Sequence, residues 1–563
     1  MHYLRDSGNQ RLHSPSAAEG VEMGLDSAWR DTGFDEALPS PREFHRCKRR
    51  CDLADAMRTF ARHAGAAMVA ATVCGCAVGP DFAPPPPPEG AGYTAAPAPA
   101  RTAAANVPGG EAQRFLNGRD IPGDWWRVFG SQGLRAVTER ALKNNADLAT
   151  AQAALRVAQA NVSAGKGAFF PSIDANFAAS RQKPPISGPA TPDDNNNLVL
   201  PESSIFNLYT GQVLVSYTPD VFGGIRRNVE SLQAQSDNQR FLLEATYLTL
   251  TSNIVFAAVQ EASLRGQIDA TQSLIKIATD VLQLLRTQFK AGLISESDVV
   301  TQEAALAQIE QTLPPLQRQL EQQRHLLSAL TGGLPNQEPP EKFKLAGLKL
   351  PRNLPVSVPS QLVQQRPDLR AAEENLHSAS AQIGVAVANR LPNVTLTANV
   401  GSTSPIFEQL FAPGSGSWAI AGSVLQPIFH GGTLYFREVA ARATFEQASS
   451  QYRSTVITSF QNVADSLSAL RNDAVALQKA VAAENAANRS LTIARRRLEL
   501  GDINYILVLN AQQTYFQTLL TRVQAQAARF ADTAALFQAL GGGWWNREDR
   551  EPPKQYPFFN LTD

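Results

Sequence analysis

Beyond Cys76 the chain has no cysteine and no methionine. Its four cysteines are Cys47, Cys51, Cys74 and Cys76, and its four methionines are Met1, Met23, Met57 and Met68. A disulfide framework and a thiolate metal site are therefore excluded over the greater part of the sequence. Only His325, His377 and His430 follow Cys76, without ligand spacing, so no metal is expected. Neither sign of charge dominates, with 51 basic and 51 acidic residues, so no overall field gathers nucleic acid. No run of about 20 apolar residues is found, which excludes a membrane-spanning helix in the mature chain but not barrel strands. There is no Gly-rich phosphate loop and no Ser/His/Asp set, so neither an enzyme nor a cofactor is expected. At 563 residues the chain exceeds one ordinary core and calls for several units or one elongated body.

The N-terminal region reads as an address. A basic stretch from Met57 to His63 precedes an apolar stretch from Ala64 to Val73, and Cys74-Gly75-Cys76 follows. This is a secretory signal, too short to be a membrane span, and it resembles a bacterial lipoprotein signal. The resemblance implies cleavage before Cys76 and a covalent lipid on that cysteine, with Gly75 at the cleavage site. Cys74 at the position before Gly75 departs from the usual small residue. Residues 1–56 are polar and precede a self-sufficient signal, as expected of an extension from a mis-assigned start. After Cys76, Pro84 to Pro88 and the Ala/Pro-rich stretch to Pro108 predict an extended tether.

The rest of the sequence is one unit written twice. Asn145-Ala146-Asp147-Leu148 faces Arg366-Pro367-Asp368-Leu369 at an offset of 221, as does Pro171 with Pro392. Pro219 and Gly223-Gly224 face Pro427 and Gly431-Gly432 at 208, and Arg286 and Gly292 face Arg495 and Gly501 at 209. Ala329-Leu330 faces Ala539-Leu540 at 210. Each copy predicts a helix (about 133–169 and 360–390) stopped by a proline, then two strands, then a glycine pair opening a very long helix. Pro171, Pro219, Gly223, Gly224, Pro392, Pro427, Gly431 and Gly432 mark the helix–strand junctions.

The strands alternate. Ile173, Ala175, Phe177 and Ala179 form one apolar row, Tyr209, Val213, Val215 and Tyr217 a second. Val394, Leu396, Ala398 and Val400 form a third, and Trp418, Ile420, Gly422 and Val424 a fourth. The intervening positions are small and mostly uncharged, which suits a membrane barrel better than a soluble sandwich. Tyr209, Tyr217 and Trp418 fall near strand ends, where a membrane interface favours aromatics. Four strands cannot close a barrel, and open edges in lipid are costly, so the chain must oligomerise. A dimer would supply eight strands and a trimer twelve.

Proline-free runs from Ile225 to Phe289 and Leu434 to Leu500 predict helices on the order of 100 Å long. Leu274, Ala278, Val281 and Leu285 follow coiled-coil spacing within a wider apolar face. Pro314-Pro315 should kink the partner helix.

These residues together resemble a family. Val78-Gly79-Pro80-Asp81-Phe82, Asp124-Trp125-Trp126-Arg127-Val128-Phe129-Gly130, Gln365-Arg366-Pro367-Asp368-Leu369, Gln426-Pro427-Ile428-Phe429-His430-Gly431-Gly432 and Ala539-Leu540-Gly541-Gly542-Gly543-Trp544 are similar to the TolC/OprM-type outer-membrane factors. The match is to the lipoprotein (NodT-like) branch that serves resistance-nodulation-division efflux systems. The resemblance implies an α+β fold: a long coiled-coil α-helical barrel plus a four-stranded contribution to a trimeric transmembrane β-barrel. It implies an outer-membrane exit duct passing small molecules such as drugs, a homotrimer, a periplasmic adaptor protein and an inner-membrane pump as partners, and contact with outer-membrane lipid. Periplasmic tips that meet the adaptor correspond to Gly292, Leu293, Ile294 and Ser295, and to Gly501, Asp502, Ile503 and Asn504. Relatives often carry two carboxylates one turn past the second tip; here Leu507 and Asn510 stand there. Leu507, Asn510 and, past the first tip, Asp298 are then the candidate gate, more apolar than in relatives, with Asp298 and Asp502 as its charges. For Asp298 a helix-start carboxylate favoured by the dipole is an equal reading.

The organisation expected is an extension (1–56), a lipoprotein signal (57–75) and a lipid-anchored tether (76–112). A first repeat (113–342), a second (343–543) and a C-terminal tail in an equatorial belt (544–563) complete it. Two rival functions remain: a TolC-like duct for type I protein secretion, and a lipid-anchored periplasmic coiled-coil scaffold.

Overall fold

The computed structural model describes residues 77–88, 92–94, 100–183, 185, 191–192, 198–199 and 205–548. They lie in a single compact unit. Cys76, the signal, the extension and the tail from 549 fall outside the described residues.

Four strands form one antiparallel sheet: β2 (Ser172–Gln182), β3 (Phe206–Tyr217), β5 (Asn393–Ser404) and β6 (Gly416–Leu425), side by side in that order. A two-rung ladder between Thr191–Pro192 and Leu198–Val199 sits in the longer loop of the first hairpin. Two four-residue strands, β1 (Arg114–Asn117) and β4 (Asn353–Val356), pair in parallel away from this sheet.

The helices carry most of the mass. α1 (Gln132–Asn144) and α2 (Ala146–Gly167) precede β2; α3 (Gly224–Lys290), α4 (Glu296–Glu310) and α5 (Leu313–Leu330) follow β3. α6 (Pro359–Gln365) and α7 (Pro367–Ala388) precede β5; α8 (Thr433–Glu499) and α9 (Tyr505–Ala539) follow β6. α3 and α8 each contain 67 residues, on the order of 100 Å of helix.

Several expectations are corrected. The helices expected over 133–169 and 360–390 are each broken in two, at Asn145 and at Arg366. Both residues adopt extended backbone, ending one helix while opening the next. Asn145 does so with its side chain, whose oxygen accepts from Leu148 N at 3.0 Å. Pro314-Pro315 mark an interruption, as expected, but between two helices and not as a kink inside one: α4 stops at Glu310, and the prolines sit in the first turn of α5, where a missing N–H costs nothing. The glycine pairs are displaced by one. Gly223 and Gly432, both left-handed, cap α3 and α8, so 209 rather than 208 superimposes the two long helices. α3 does contain an 18-residue stretch apolar enough to cross a bilayer by length and composition, but 61% of that stretch is buried inside the chain.

The tether is also corrected. Thr102 and Gln113 are buried, with Thr102 N donating to Gln113 O at 2.9 Å and Gln113 N to Thr102 Oγ1 at 3.0 Å. Arg529, from α9, donates to Gln113 Oε1 at 2.9 Å and to Glu111 O at 3.1 Å. Over 100–113 the chain is thus packed against α9 rather than free.

The largest core lies at mid-height, where Trp125, Trp126 and Phe129 meet Tyr247 and Ile254 of α3 and Phe530 and Phe537 of α9. A second core, at the far end from the sheet, joins α3, α4, α8 and α9 through Val281, Leu285, Val299, Leu498 and Val508.

Candidate functional site

The sheet turns the four alternating rows into one surface. Ala175 pairs with Val213, Val213 with Val400 and Val400 with Trp418, so directly opposed residues carry each row onto the next strand. Opposed residues in an antiparallel ladder share a face. One face therefore carries Ile173, Phe177, Tyr209, Val215, Leu396, Ile420 and Val424, and the other Asn176, Gln212, Asn399 and Ser423. Ile173, Ile420 and Val424 are each at least 70% exposed, although a soluble protein would bury them. Among the described residues, β2 and β6 have a ladder on one side only.

The junction beneath the sheet holds the segment that follows Cys76. Val78 N donates to Phe222 O at 3.1 Å. Arg227, in the first turn of α3 and 5% exposed, donates to Val78 O at 3.1 Å and pairs with Asp81 at 2.6 Å and Glu230 at 2.8 Å. Glu230 also meets His377 Nε2 at 3.0 Å, and the His377 ring stacks on Phe82 at 4.4 Å. Gly79 (φ 96°) lies so close to Gly384 that a Cβ on either would strike backbone. Residues 77–82 are thus clamped beside the Gly223 junction. The only sequence signal was the motif itself, because its partners lie over a hundred residues away.

The two tips share one construction. Gly292 (φ 71°) and Gly501 (φ 74°) stand just past α3 and α8. Leu293 N returns to Gln288 O and Asp502 N to Arg497 O, each at 2.9 Å, the double-bonded stop that needs a left-handed residue. Ser295 then opens α4 and Asn504 opens α9 with their side chains. Asp298 completes a capping box, its carboxylate accepting from Ser295 N at 3.2 Å and from Ser295 Oγ at 2.7 Å. Asp502 is paired with Arg497 at 2.7 Å. Tyr505 and Val508 turn into the distal core, whereas Leu507 and Asn510 share the exposed side of α9. The two tips share the distal core through Ile294, Ile503 and Tyr505, and burial together with the nearby Asp298 charge pushes the Tyr505 hydroxyl up to about 12.

One further ionisable group, on α9, was not found from sequence. Burial and a hydrogen bond with Asp473 of α8 push the Asp532 carboxyl up from an ordinary 3.8 to about 8. Arg529, one turn earlier, offsets this only in part. The folded state therefore holds this proton more tightly than the unfolded chain, so stability is greatest below about pH 4 for this group and falls as pH rises towards 8. Asp532→Asn should raise the melting temperature at pH 8 and leave it unchanged near pH 4, as read by circular dichroism in detergent. Equal melting temperatures at pH 8 would contradict this.

Comparison with known proteins matches this geometry. The family described as outer membrane efflux protein matches residues 137–333 and 358–542, more than half of the chain. The pyoverdine export outer membrane protein OpmQ of Pseudomonas putida is 28% identical over 421 residues, 75% of this chain and 88% of its own length. The toluene efflux pump outer membrane protein TtgC of Pseudomonas putida is 27% identical over 483 residues, 85% of this chain and 95% of its own. Among solved structures, the outer-membrane channel OprN superimposes with a TM-score of 0.70 at 25% identity, covering 83% of this chain and all of that one. The Campylobacter jejuni CmeC outer membrane channel shares the fold at a TM-score of 0.73 and 23% identity, over 84% of this chain and 96% of that one. A sheet with one apolar and one polar face, long paired helices and doubly capped tips thus occur here in the setting of outer-membrane efflux ducts, and the chain belongs to the outer membrane efflux protein family.

Proposed function

We propose that three copies of this chain, each a twofold repeat, close a twelve-stranded barrel in the outer membrane above a helical duct. The duct passes small molecules such as drugs received from an inner-membrane resistance-nodulation-division pump through a periplasmic adaptor. The observation that carries this reading is the sheet: one continuous apolar face, one polar face and two open edges. In lipid each unpaired backbone group costs several kcal/mol, so β2 and β6 need partners, and closure by further copies supplies them. At the far end Leu293, Leu500, Ile506 and Leu507 are all at least half exposed. Such apolar tips suit an adaptor that covers them.

The anchor belongs to the same proposal. Ala77 packs against Gly223, where the strands give way to α3. A lipid on Cys76, one residue earlier, then enters the membrane at the level of the barrel. Native mass spectrometry of protein purified from outer membranes tests both parts at once. The expected mass is three chains, each beginning at an acylated Cys76. A dominant monomer or dimer in mild detergent would exclude the trimer, and an unmodified or unprocessed Cys76 would exclude the anchor.

A further inference from the structure

The apolar face of the sheet does not run unbroken to its far end. On β2 it reads Ile173, Ala175, Phe177, Ala179 and then Arg181, so a charge ends the row after roughly 20 Å of strand. On β5 the same row turns polar earlier: Val400 is followed by Ser402 and Ser404, which pair with Gly211 and Tyr209. Gly211 pairs in turn with Phe177, and Tyr209 with Ala179. The upper part of the apolar face thus holds two hydroxyls and a gap where Gly211 has no side chain.

The loop between β5 and β6 folds back over that place. It lies at the end of the sheet away from the helices, since β5 leaves α7 and β6 runs into α8. Phe407 meets Tyr209 edge-on at 5.5 Å and Phe177 at 6.3 Å. Leu410, 2% exposed, fills the gap: a Cβ on Gly211 would lie 3.7 Å from Leu410 Cδ2 and 3.6 Å from Phe411 Cζ. Ser404 is buried beneath, its hydroxyl accepting from Ile406 N at 3.2 Å. Outward, the loop presents Ile406, Phe407 and Phe411, which are 46, 56 and 81% exposed.

We propose that this loop is a membrane hook, whose Ile406, Phe407 and Phe411 insert among the acyl chains of the outer leaflet instead of standing in water as a hairpin tip. The inference rests on the outer-membrane reading of the sheet and assigns a partner to a segment outside its strands. Continuity carries it. The three side chains grow out of the face which that reading sets in lipid, and Phe407 sits at the level of Phe177 and Tyr209, before the charged rung of Arg181. The lipid that covers Phe177 therefore covers the loop as well. A cluster of this kind turned to water would be an exposed apolar patch without a use.

The backbone of the loop supplies independent support. Peptide groups in lipid must find their partners within the protein. Gln409 N donates to Ile406 O, Leu410 N to Phe407 O and Ala412 N to Gln409 O, each at 3.1 Å. The Ser415 hydroxyl lies 2.7 Å from Leu410 O and 2.8 Å from Ala412 O, a donor shared between two carbonyls. Thr403 N returns to Ser415 O at 3.1 Å and closes the loop at its base. The turn thus closes on itself rather than reaching for solvent. Glu408, the only charged residue from Pro405 to Ser415, is exposed and long enough to reach headgroup level.

Spin labels read the placement, because the chain has no native cysteine after Cys76. Full-length protein carrying Phe411→Cys is purified from outer membranes, labelled with a nitroxide and reconstituted in vesicles of phosphatidylethanolamine and lipid A. Collision with oxygen, which concentrates among acyl chains, is compared with collision with a water-soluble nickel chelate. Ile420→Cys, on the apolar row of β6 and 78% exposed, is the membrane reference. Glu310→Cys, exposed at the end of α4, is the aqueous one, and the unsubstituted protein gives the background. Labels at Phe411→Cys and, in a second variant, Ile406→Cys should favour oxygen several-fold, as Ile420→Cys does, and Glu310→Cys should show the reverse. Nickel-dominated collision at both loop positions with oxygen dominant at Ile420→Cys would overturn the hook and leave the barrel in the membrane. Little collision with either agent at Phe411→Cys would mean that protein, such as a neighbouring copy, covers the loop, and would overturn it too. Nickel dominance at Ile420→Cys would overturn the outer-membrane reading and the hook with it.

Discussion

Replacing Trp125 with alanine should destabilise the protein by about 3–5 kcal/mol, the range for a large aromatic removed from a core that cannot collapse. Trp125 is 1% exposed, stacks on Phe537 at 5.5 Å and 17°, and meets Trp126 and Phe129 edge-on at 6.3 and 6.4 Å. Its neighbours are fixed from three directions: the short helical turn Trp125–Phe129, the middle of α3 and the end of α9. The backbone at Gly542, in the left-handed region, passes so close that an added Cβ would lie 3.3 Å from the indole nitrogen. Such surroundings relax poorly into a vacancy, so the cost should fall at the upper part of that range. Urea unfolding followed by circular dichroism in detergent measures it. A loss below about 1 kcal/mol would mean that the mid-height core is not what joins the N-terminal segment to the long helices.

The strands and the long helices were legible because their signals are local and repeated. Period-two alternation placed four rows, and the ladders set them on one face. Proline-free runs bounded by glycines gave α3 and α8 to within a residue at each end. What was missed depends on contacts distant in sequence or on cap geometry. The break at Asn145 lies within a stretch free of proline and glycine, and the side-chain cap to Leu148 N marks it. Two adjacent glycines allow either alignment of the halves; the helix starts just after Gly223 and Gly432 choose one. The parallel ladder of Arg114–Asn117 with Asn353–Val356 spans four residues, too few for periodicity, and joins segments more than two hundred residues apart. The clamp of Arg227 on Asp81 is equally invisible in sequence, although Val78-Gly79-Pro80-Asp81-Phe82 marked the segment that it holds.

An aspartate at Leu507 should raise the conductance of the duct several-fold in planar bilayers. The reason lies in which tip charges are already engaged. Asp502 is paired with Arg497, and the Asp298 carboxylate caps α4 through Ser295. Leu507 is 55% exposed, and Tyr505 and Val508 on either side of it hold that turn of α9 against the distal core. A new carboxylate at this position therefore faces away from the distal core. In a trimer it appears three times about one axis, and like charges repel by roughly 1 kcal/mol per pair at about 4 Å in water, more where water is scarce. Repulsion of that size favours the separated tips. Asp298→Asn is the complementary variant, because its amide oxygen can still accept from Ser295 while the charge is gone. Assembly should persist and cation preference should fall. If both variants conduct and select like the parent, the constriction does not lie at the first turn of α4 and α9.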